Sequence, residues 1–359
     1  MSVSTKEKPT IDMGKVEAFA GQFINDLSAN YSGVMVLIGH ELGLYKAMEG
    51  MGPLTSAELS GKTNTYERYI REWLNNQAAG GYLHYDAQSK TYELPAEHAL
   101  VLTQSDGPLF MTPGYSVVNS FWHDKDKLEY AFKSGKGIGW HEHNHNLFHG
   151  VEGIYRAGYK ANLIDVWLPS IQGLGEKLTQ GCRVADVGCG HGASAILMAE
   201  QYPNSEIYGF DYHQESVDVA RARAKDKGLT NVFFEVAHAE NYEEENFDLI
   251  AFFDCFHDFG HPLNSIKYAR EKLAPEGVLM LVEPNASDQV EDNFNPIGRM
   301  YFAASTALCV PHSHSEEGDY CLGAQAGPSI VEKIAKEAGF SRFRIADQSP
   351  VNLVYEIMR

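Results

Sequence analysis

Hydrophobic and polar residues alternate along this chain in two different patterns. Up to about residue 180, apolar positions recur with helical spacing, which predicts helices over 15–27, 32–48, 66–79 and 147–168. After residue 180, short β-branched or aromatic runs alternate with helix-like stretches. The second pattern predicts an α/β fold, with a parallel sheet that carries helices on both faces.

The first 100 residues have the pattern of a winged helix that follows a tail over residues 1–13. Thr55-Ser-Ala-Glu58 matches a capping box and predicts the start of a short helix. Strands over 82–85 and 91–94 are predicted to form a hairpin. The stretch 32–48 is apolar on most sides, and such a helix is usually buried, often between subunits. Residues 1–100 are therefore predicted to be a dimerisation domain with this helix as its dimer interface.

Winged helices also bind DNA, and a DNA-binding winged helix needs basic residues on its longer helix and its wing. The longer helix offers Arg68 and Arg71, but Glu67 and Glu72 lie beside them, and the wing offers only Lys90. Residues 1–100 hold eight Lys and Arg against twelve Asp and Glu. This balance favours dimerisation, and a cofactor-binding winged-helix transcriptional regulator remains the competing hypothesis.

Residues 101–180 form a connecting segment that is rich in aromatic residues, glycine and histidine. Alternating histidines at 141, 143, 145 and 149 could ligate a transition metal. The H-E-x-x-H spacing is absent, however, and no Cys or Asp pair accompanies them. We therefore interpret this stretch as a solvated or pocket-lining loop and predict no metal site. The helix over 147–168 is expected to cross to the second domain.

The stretch from Val184 to Gly192 opens the third segment, residues 181–359. A buried-type strand over 183–187 is followed by glycines at 188, 190 and 192 and by a helix from Ala193. The glycines allow a tight turn and let a ligand lie against backbone N–H groups. Asp186, inside the strand end, would repel a phosphate and hold a cationic or amine-bearing ligand. The spacing G-x-G-x-G also differs from the dinucleotide fingerprint G-x-G-x-x-G.

The rest of this segment predicts a doubly wound sheet. The further strands are expected over 206–210, 231–236, 247–253, 278–282, 342–347 and 352–358. The last two are too close for a crossover helix, so they must form an antiparallel hairpin. Ligands bind at the carboxyl ends of such strands, where Asp186, Asp211, His238, Asp254 and His257 are expected to gather.

Together these features resemble the class I S-adenosylmethionine-dependent methyltransferases. The shared signs are acid-x-Gly-x-Gly-x-Gly after the first strand, an acid at the tip of the second, and a closing antiparallel hairpin. With the winged helix first, the layout resembles the small-molecule O-methyltransferases that dimerise through that domain. The resemblance implies a Rossmann-like seven-stranded sheet over 181–359, with a lid insertion at 284–326, and an active-site contribution from 101–180.

The resemblance implies S-adenosylmethionine as cofactor. The implied cofactor-binding residues stand at the first four strand ends: Asp186, Gly188, Cys189, Gly190, Asp211, Tyr212, His238, Ala239, Asp254 and Cys255. Asp186 would lie near the amino group, Asp211 would take the ribose hydroxyls and Tyr212 the adenine. His238 departs from the family, because many relatives have an aspartate there.

The candidate catalytic residues are His257 and Asp258. The methyl donor is a sulfonium cation, and much of the rate of transfer can come from holding the acceptor in line with its methyl group. A hydroxyl acceptor must also lose its proton, so His257 is the candidate base and Asp258 the residue that orients it. The run 256–259 matches the catalytic His-Asp-aromatic run of plant-type O-methyltransferases. Alternatively, His257 only caps the following helix. Those relatives also carry a glutamate where Gln325 stands here.

The insertion over 284–326 is expected to roof the acceptor pocket. Its helix is predicted over 297–308 and ends at Cys309-Val-Pro311, with His312 and His314 in a surface loop. The predicted pocket is closed and partly aromatic. Its predicted lining residues are Tyr115, Trp122, Trp140, Met300 and Tyr301.

Composition narrows the choice of partners. A formal net charge of −19 and a pI near 5.2 argue against binding to nucleic acid or an anionic membrane. No run approaches the roughly 20 apolar residues of a transmembrane helix, and the start of the chain lacks the apolar core of a signal peptide. Five cysteines without a C-x-x-C pair indicate reduced thiols in a cytoplasm.

The sequence therefore predicts a cytoplasmic, homodimeric methyltransferase. Its acceptor is expected to be a small molecule that is methylated at a hydroxyl oxygen. The alternative acceptor is sulfur or nitrogen, for which proximity and orientation would suffice.

Overall fold

The chain forms two compact units in the computed structural model, which describes residues 10–105 and 107–359. The first unit is the chain up to residue 104 together with residues 110–115, and the second is the remainder. Residues 116–180 thus belong to the same unit as the sheet. Among the described helices, none combines the length and the apolar character that crossing a membrane requires.

The first unit contains a winged helix, as predicted. Its elements are α1 Met13–Glu41, α2 Leu44–Met48, α3 Ser56–Thr63, α4 Glu67–Ala79, β1 His84–Asp86, β2 Thr91–Glu93 and α5 Ala96–Leu102. The capping box is confirmed, since the Thr55 side chain accepts from the Glu58 amide and the Glu58 carboxylate from the Thr55 amide. Tyr45, Trp73 and Leu74 lie at the centre of the core.

The prediction of two helices over 15–27 and 32–48 is wrong. They are one 29-residue helix, α1, followed by the short α2. Residues 28–31 include no glycine or proline that would end a helix, and the real break comes at Gly43, which adopts φ +66°. The predicted tail over 1–13 lies mainly outside the described residues, and Asp12 caps α1.

The prediction that residues 32–48 form the dimer interface is also corrected. Val36, Leu37 and Leu44 are buried within the unit itself, because α1 packs against α2 and α4 there. The exposed apolar side chains of α1 lie earlier, at Met13, Val16, Phe19, Phe23, Ile24, Leu27, Tyr31 and Val34.

The second unit begins with helices that cover the sheet. The helices after α5 are α6 Gly114–His123, whose first two residues belong to the first unit, α7 Lys125–Ser134, α8 Asn146–Asn162, α9 Leu168–Ser170 and α10 Leu174–Gln180. A π turn, Leu163–Trp167, joins α8 to α9, so the helix predicted over 147–168 is confirmed. Tyr159, Leu163 and Trp167 bury this helix against one face of the sheet.

The seven-stranded sheet matches the predicted topology. Its strands are β3 Arg183–Val187, β4 Glu206–Asp211, β5 Val232–Val236, β6 Phe247–Phe253, β7 Leu273–Pro284, β8 Arg342–Gln348 and β9 Asn352–Met358. The spatial order is β5-β4-β3-β6-β7-β9-β8. β3 to β7 run parallel, while β9 is antiparallel to both β7 and β8. Helices α11 Ala193–Gln201, α12 Gln214–Asp226, α13 Pro262–Lys272 and α16 Pro328–Glu337 flank it.

The insertion between β7 and α16 contains a longer helical stretch than predicted. α14 Pro296–Ala304 continues through a π turn, Ser305–Cys309, into α15 Val310–Ser315. Pro311 does not end the helix, because it stands in the first turn of α15, where its missing N–H is tolerated. As a consequence His312, expected in a surface loop, is a buried residue of α15, whereas His314 is exposed.

Candidate active site

The glycine turn after β3 is built for close approach of the backbone. Gly188 has φ +78°, and a Cβ there would lie 2.7 Å from the Cys255 sulfur. Gly192 has φ +75°, and a Cβ there would lie 2.7 Å from the Phe234 ring. A Cβ on Gly190, by contrast, would meet no atom within 4 Å. The turn is therefore packed on both sides of an open space beside Gly190.

Asp186 is a buried acid with one oxygen unsatisfied. Its Oδ2 accepts a hydrogen bond from the Ser194 hydroxyl, while its Oδ1 has no hydrogen-bond partner within the described parts of the chain. Burial raises the pKa of Asp186 to about 7, against the lowering effect of the Ser194 hydroxyl. A buried carboxylate with a vacant acceptor is suited to an ammonium group or another cation.

Asp211 connects the ends of β3 and β4. It accepts hydrogen bonds from the amides of Gly190, at 2.8 Å, and His213, at 2.9 Å. Burial raises the pKa of its carboxyl above the usual value, and the two backbone hydrogen bonds oppose that rise. The acid predicted at the tip of the second strand is thus fixed beside the glycine turn.

Tyr212 lies in a stack of aromatic rings. Its ring is nearly parallel to that of His238, at 5.4 Å between centroids and 13°, and to that of His312, at 6.0 Å and 12°. His238 is exposed, and Ala239 after it packs at the edge of the core. The structure places Tyr212 and His238 together, and it adds His312, which the sequence placed elsewhere.

The end of β6 is strained and tightly held. Asp254 adopts φ +50°, an unusual conformation for a residue other than glycine, and such residues concentrate at functional sites. Its amide donates to the Val282 carbonyl and its carboxylate accepts from the Asn352 side chain, each at 2.7 Å. Burial and the charge of Glu283 raise the pKa of Asp254 to about 8. The Cys255 thiol donates to the Val187 carbonyl and so joins β6 to β3.

His257 lies between two carboxylates just after β6. Its side chain is buried, with Nδ1 2.5 Å from Glu283 Oε2 and Nε2 3.3 Å from Asp258 Oδ1. The other Glu283 oxygen accepts from the Phe256 amide at 3.0 Å. Nδ1 therefore donates the hydrogen bond that orients the imidazole to Glu283, whereas the sequence assigned that orienting role to Asp258.

The charges around His257 determine its protonation. Burial alone would lower the pKa of the imidazole, but the carboxylates of Asp258 and Glu283 raise it well above its usual value. Without a ligand, the imidazole therefore holds its proton more tightly than a free histidine does. Its neutral form is correspondingly a stronger base.

Glu283 is a candidate site residue that sequence reasoning missed. It directly follows the apolar run 278–282, and β7 pairs with β6 in the sheet. Asp186 was identified as a candidate because it is an acid at the end of a buried strand. Glu283 has the same position at the end of its strand and could have been identified in the same way. Cys309, whose thiol lies beside His257 and Asp258, had no comparable sign in the sequence.

The predicted pocket residues are not all brought together. Trp140 and Tyr301 pack at the edge of one apolar cluster around Leu147 and Leu308, and the Tyr301 hydroxyl donates to the Val351 carbonyl. Trp122 and Met300, in contrast, are 61% and 46% exposed. Tyr115 belongs to the first unit, where its hydroxyl lies 3.3 Å from that of Tyr82.

The histidines at 141–149 are spread over different environments. His143 is buried and its Nδ1 lies 3.0 Å from Asp124 Oδ2, so it is a structural residue. His141, His145 and His149 are exposed.

Comparison with known families separates the same two regions. Residues 178–339 match a family described as a methyltransferase domain. Residues 30–104 match a family described as an Rv2258c-like winged helix-turn-helix domain.

Individual relatives agree with these assignments. The ubiquinone biosynthesis O-methyltransferase of Actinobacillus pleuropneumoniae is 33% identical over 106 residues, which are 28% of this chain and 44% of that protein. The chain spans somewhat less than half the length of the curated relatives it matches first. Among solved structures, an O-methyltransferase family protein from Burkholderia thailandensis aligns over 98% of this chain and 99% of its own, with a TM-score of 0.68 and 16% identity.

A second solved structure is human N-acetylserotonin methyltransferase in complex with S-adenosylmethionine. It covers 100% of this chain and 99% of its own, with a TM-score of 0.67 and 15% identity. At this identity the likeness concerns the fold, and the fold is shared over both units. Residues 178–339 therefore carry a methyltransferase domain, residues 30–104 carry an Rv2258c-like winged helix-turn-helix domain, and the chain shares its fold with a methyltransferase solved in complex with S-adenosylmethionine.

Proposed function

We propose that this protein transfers the methyl group of S-adenosylmethionine to a hydroxyl oxygen of a small molecule, with His257 as general base. The observation that carries the proposal is the buried pair of His257, just after β6, with Glu283, at the end of the neighbouring strand β7. It lies at the carboxyl ends of the parallel strands, where Asp186, Asp211 and Asp254 also lie. A base at this position can remove the proton that a hydroxyl acceptor must lose.

The residues around the glycine turn fit the cofactor. The unpartnered Oδ1 of Asp186 suits the amino group of its methionine part. The open space beside Gly190 and the backbone of Gly188 and Cys189 suit a ligand that lies against main chain. Asp211 would accept from the ribose hydroxyls, and Tyr212, with His238 and Ala239, would border the adenine.

When bound, the cofactor supplies a methyl group on a positively charged sulfur. Asp254 and Cys255 would border that sulfur, where buried acidic groups favour a cation. His257 would take the acceptor proton at Nε2, while Glu283 keeps Nδ1 protonated and stabilises the imidazolium that results. The contribution of Asp258 is a second negative charge beside Nε2.

We propose that residues 284–326 form a lid over the acceptor and that residues 116–180, of the same unit, complete its pocket, with Trp140 and Tyr301 as lining residues. Trp122 and Met300 are too exposed in this structure to enclose an acceptor. The names of several relatives as O-methyltransferases support oxygen as the methylated atom. All five cysteines are free, which supports action in the cytoplasm.

The first test is cofactor binding followed by methyl transfer. We expect calorimetry on the full-length protein to show one S-adenosylmethionine per chain, with affinity in the micromolar range. Incubation of a metabolite mixture with methyl-labelled cofactor should then label a small molecule, whose ether methyl identifies an O-methyl product. Absence of binding would contradict the cofactor assignment, and a labelled thioether or amine would contradict the acceptor.

The pH dependence of kcat/KM should reveal the charge environment of His257. Only neutral imidazole accepts a proton, so activity should rise with pH through the pKa of His257, which the two carboxylates hold above the usual value of about 6.5. Glu283→Gln removes one of these charges and should shift the acidic limb to lower pH. The matched control is Glu337→Gln, an exposed acid of α16, which should leave the profile in place. An unshifted limb in Glu283→Gln would contradict the proposal.

We further propose that the chain forms a homodimer through the early part of α1. Its exposed apolar residues recur at 16, 19, 23, 27, 31 and 34, which is the spacing of one helical face. A continuous apolar face of this kind marks an interaction surface. The arginines of α4 are paired with glutamates of the same helix, Arg68 with Glu72 and Arg71 with Glu67, which supports dimerisation rather than DNA reading.

Phe23→Glu should dissociate this dimer. A symmetric interface loses the residue twice, and each buried phenylalanine is worth about 1.5–3 kcal/mol, so the dimer Kd should rise by about 100-fold or more. Sedimentation equilibrium of the full-length variant would measure it. Gln22→Glu introduces the same charge on a neighbouring face and should leave the Kd nearly unchanged. Equal Kd values for Phe23→Glu and wild type would contradict this interface.

A further inference from the structure

Three different metal-ligating side chains converge beside the proposed base. A nitrogen of His257, an oxygen of Asp258 and the sulfur of Cys309 all lie within 4.8 Å of one another. His257 and Cys309 are almost fully buried, at 4% and 5% exposure, and Asp258 is half-buried. Buried clusters of these residue types need an explanation, because each polar atom has given up its contact with water.

The contacts leave one atom of the imidazole and one of the carboxylate available for a ligand. Glu283 occupies Nδ1 of His257, so Nε2 faces the cluster. Asp258 Oδ1 is buried and makes no hydrogen bond within the described residues, although Nε2 lies 3.3 Å from it. Two zinc ligands at about 2.0–2.1 Å in tetrahedral geometry lie roughly 3.3 Å apart. The two atoms are therefore spaced like neighbouring ligands of one ion.

Glu283 provides the support that such a ligand needs. Metal-bound histidines usually donate their second ring N–H to a carboxylate, which fixes the tautomer and the ring orientation. The hydrogen bond from His257 Nδ1 to Glu283, at 2.5 Å, has this arrangement. The remaining Glu283 oxygen is held by the Phe256 amide, so the supporting carboxylate is itself fixed.

Charge and ligand type select the ion. Asp258 and Glu283 place carboxylate oxygens 3.3 and 2.5 Å from the two ring nitrogens of His257, and a divalent cation offsets two negative charges better than one proton does. A thiolate and an imidazole favour zinc over magnesium or calcium, which prefer oxygen ligands. The Cys309 thiol would lose its proton on coordination. Cys309 also ends the π turn, an irregularity that is frequent at functional sites.

We propose that His257 Nε2, Asp258 Oδ1 and Cys309 Sγ bind Zn²⁺ with one further coordination position open. Bound zinc occupies the Nε2 lone pair that would otherwise accept the proton of the acceptor. Zinc binding and base catalysis by His257 therefore exclude each other, and zinc inhibits methyl transfer to a hydroxyl. The sequence did not suggest this site, because its ligands come from two segments about fifty positions apart.

The test uses the full-length protein, stripped of metal with a chelator and titrated with Co²⁺ as a spectroscopic probe. We expect one Co²⁺ per chain and a near-ultraviolet band from thiolate-to-cobalt charge transfer. Zn²⁺ should displace the Co²⁺ and remove the band. Cys309→Ser should remove the band, and Cys182→Ser, at a half-buried thiol just before β3, should retain it.

Two further variants separate binding from folding. Glu283→Gln should weaken Zn²⁺ binding by about 10- to 100-fold, the usual effect of losing the partner of a ligating histidine. His257→Gln should abolish stoichiometric binding while circular dichroism remains that of the wild type. A band that persists in Cys309→Ser, or no Co²⁺ binding by well-folded wild type, would overturn the site. These readouts need neither cofactor nor acceptor, so their failure is distinct from failure of the proposed methyl transfer.

Discussion

His257→Ala should abolish methyl transfer and leave the affinity for S-adenosylmethionine nearly unchanged. A positioned base contributes about 10²- to 10⁴-fold to the rate of proton transfer, so kcat should fall by that factor. The side chains proposed to bind the cofactor, Asp186 and Asp211, lie on β3 and β4, and neither makes a hydrogen bond to His257. Single-turnover kinetics with labelled cofactor, together with calorimetry, would measure both quantities.

The control for this variant is His261→Ala. His261 lies four positions later, is about one-third exposed and pairs with Asp319, so its loss should leave kcat close to wild type. Because His257 is buried and paired, the thermal unfolding of His257→Ala should be measured beside its activity. Wild-type turnover in a folded His257→Ala protein would contradict the base. It would favour an acceptor sulfur or nitrogen, for which proximity alone suffices.

Asp211→Ala should weaken S-adenosylmethionine binding by about 100-fold or more. Each hydrogen bond to a charged acceptor contributes about 1.5–3 kcal/mol, and the carboxylate is expected to accept from two ribose hydroxyls. It also accepts from the amides of Gly190 and His213, so its loss should loosen the glycine turn against which we propose the cofactor lies. Calorimetry on the full-length variant would measure the change in Kd.

Two companions make this result specific. Asp218→Ala removes an exposed acid of α12 and should not change the Kd. Asp211→Asn keeps an oxygen acceptor for one backbone amide but removes the charge, so its Kd should lie between those of wild type and Asp211→Ala. Unchanged affinity in Asp211→Ala would contradict the proposed hydrogen bonds between Asp211 and the ribose hydroxyls. An equal loss in Asp218→Ala would show that the effect is not local.

The sheet could be predicted because its signals are local. Most of its strands contain a short apolar run bounded by turn residues, and both of the last two strands were placed within one residue. The parallel order then follows from the alternation with helices. The acids at 186 and 211 were found for the same reason, since each stands at the end of its own strand.

The remaining features depend on contacts between distant residues. Nothing near Glu283 in the sequence shows that it bonds to His257, because that contact arises from the pairing of β6 with β7. The local sequence only weakly favours a helix across residues 28–31 and across Pro311. Tertiary packing therefore determines that α1 and the helix through Pro311 are continuous. His312 appeared to belong to a loop for that reason, and its place beside Tyr212 follows from the helix it stands on.

The Asn352 side chain has a consequence for biosynthesis. It donates to Asp254 and to the main-chain carbonyl of Glu283, so β9 fixes the ends of β6 and β7 at the site. β9 also follows every other strand of the sheet in sequence and inserts between β7 and β8. A ribosome-bound chain that lacks Asn352 keeps the Asp254 amide's bond to Val282 but lacks the side-chain bond that holds the Asp254 carboxylate. We therefore expect the site of the nascent protein to be complete only after β9 has inserted between β7 and β8.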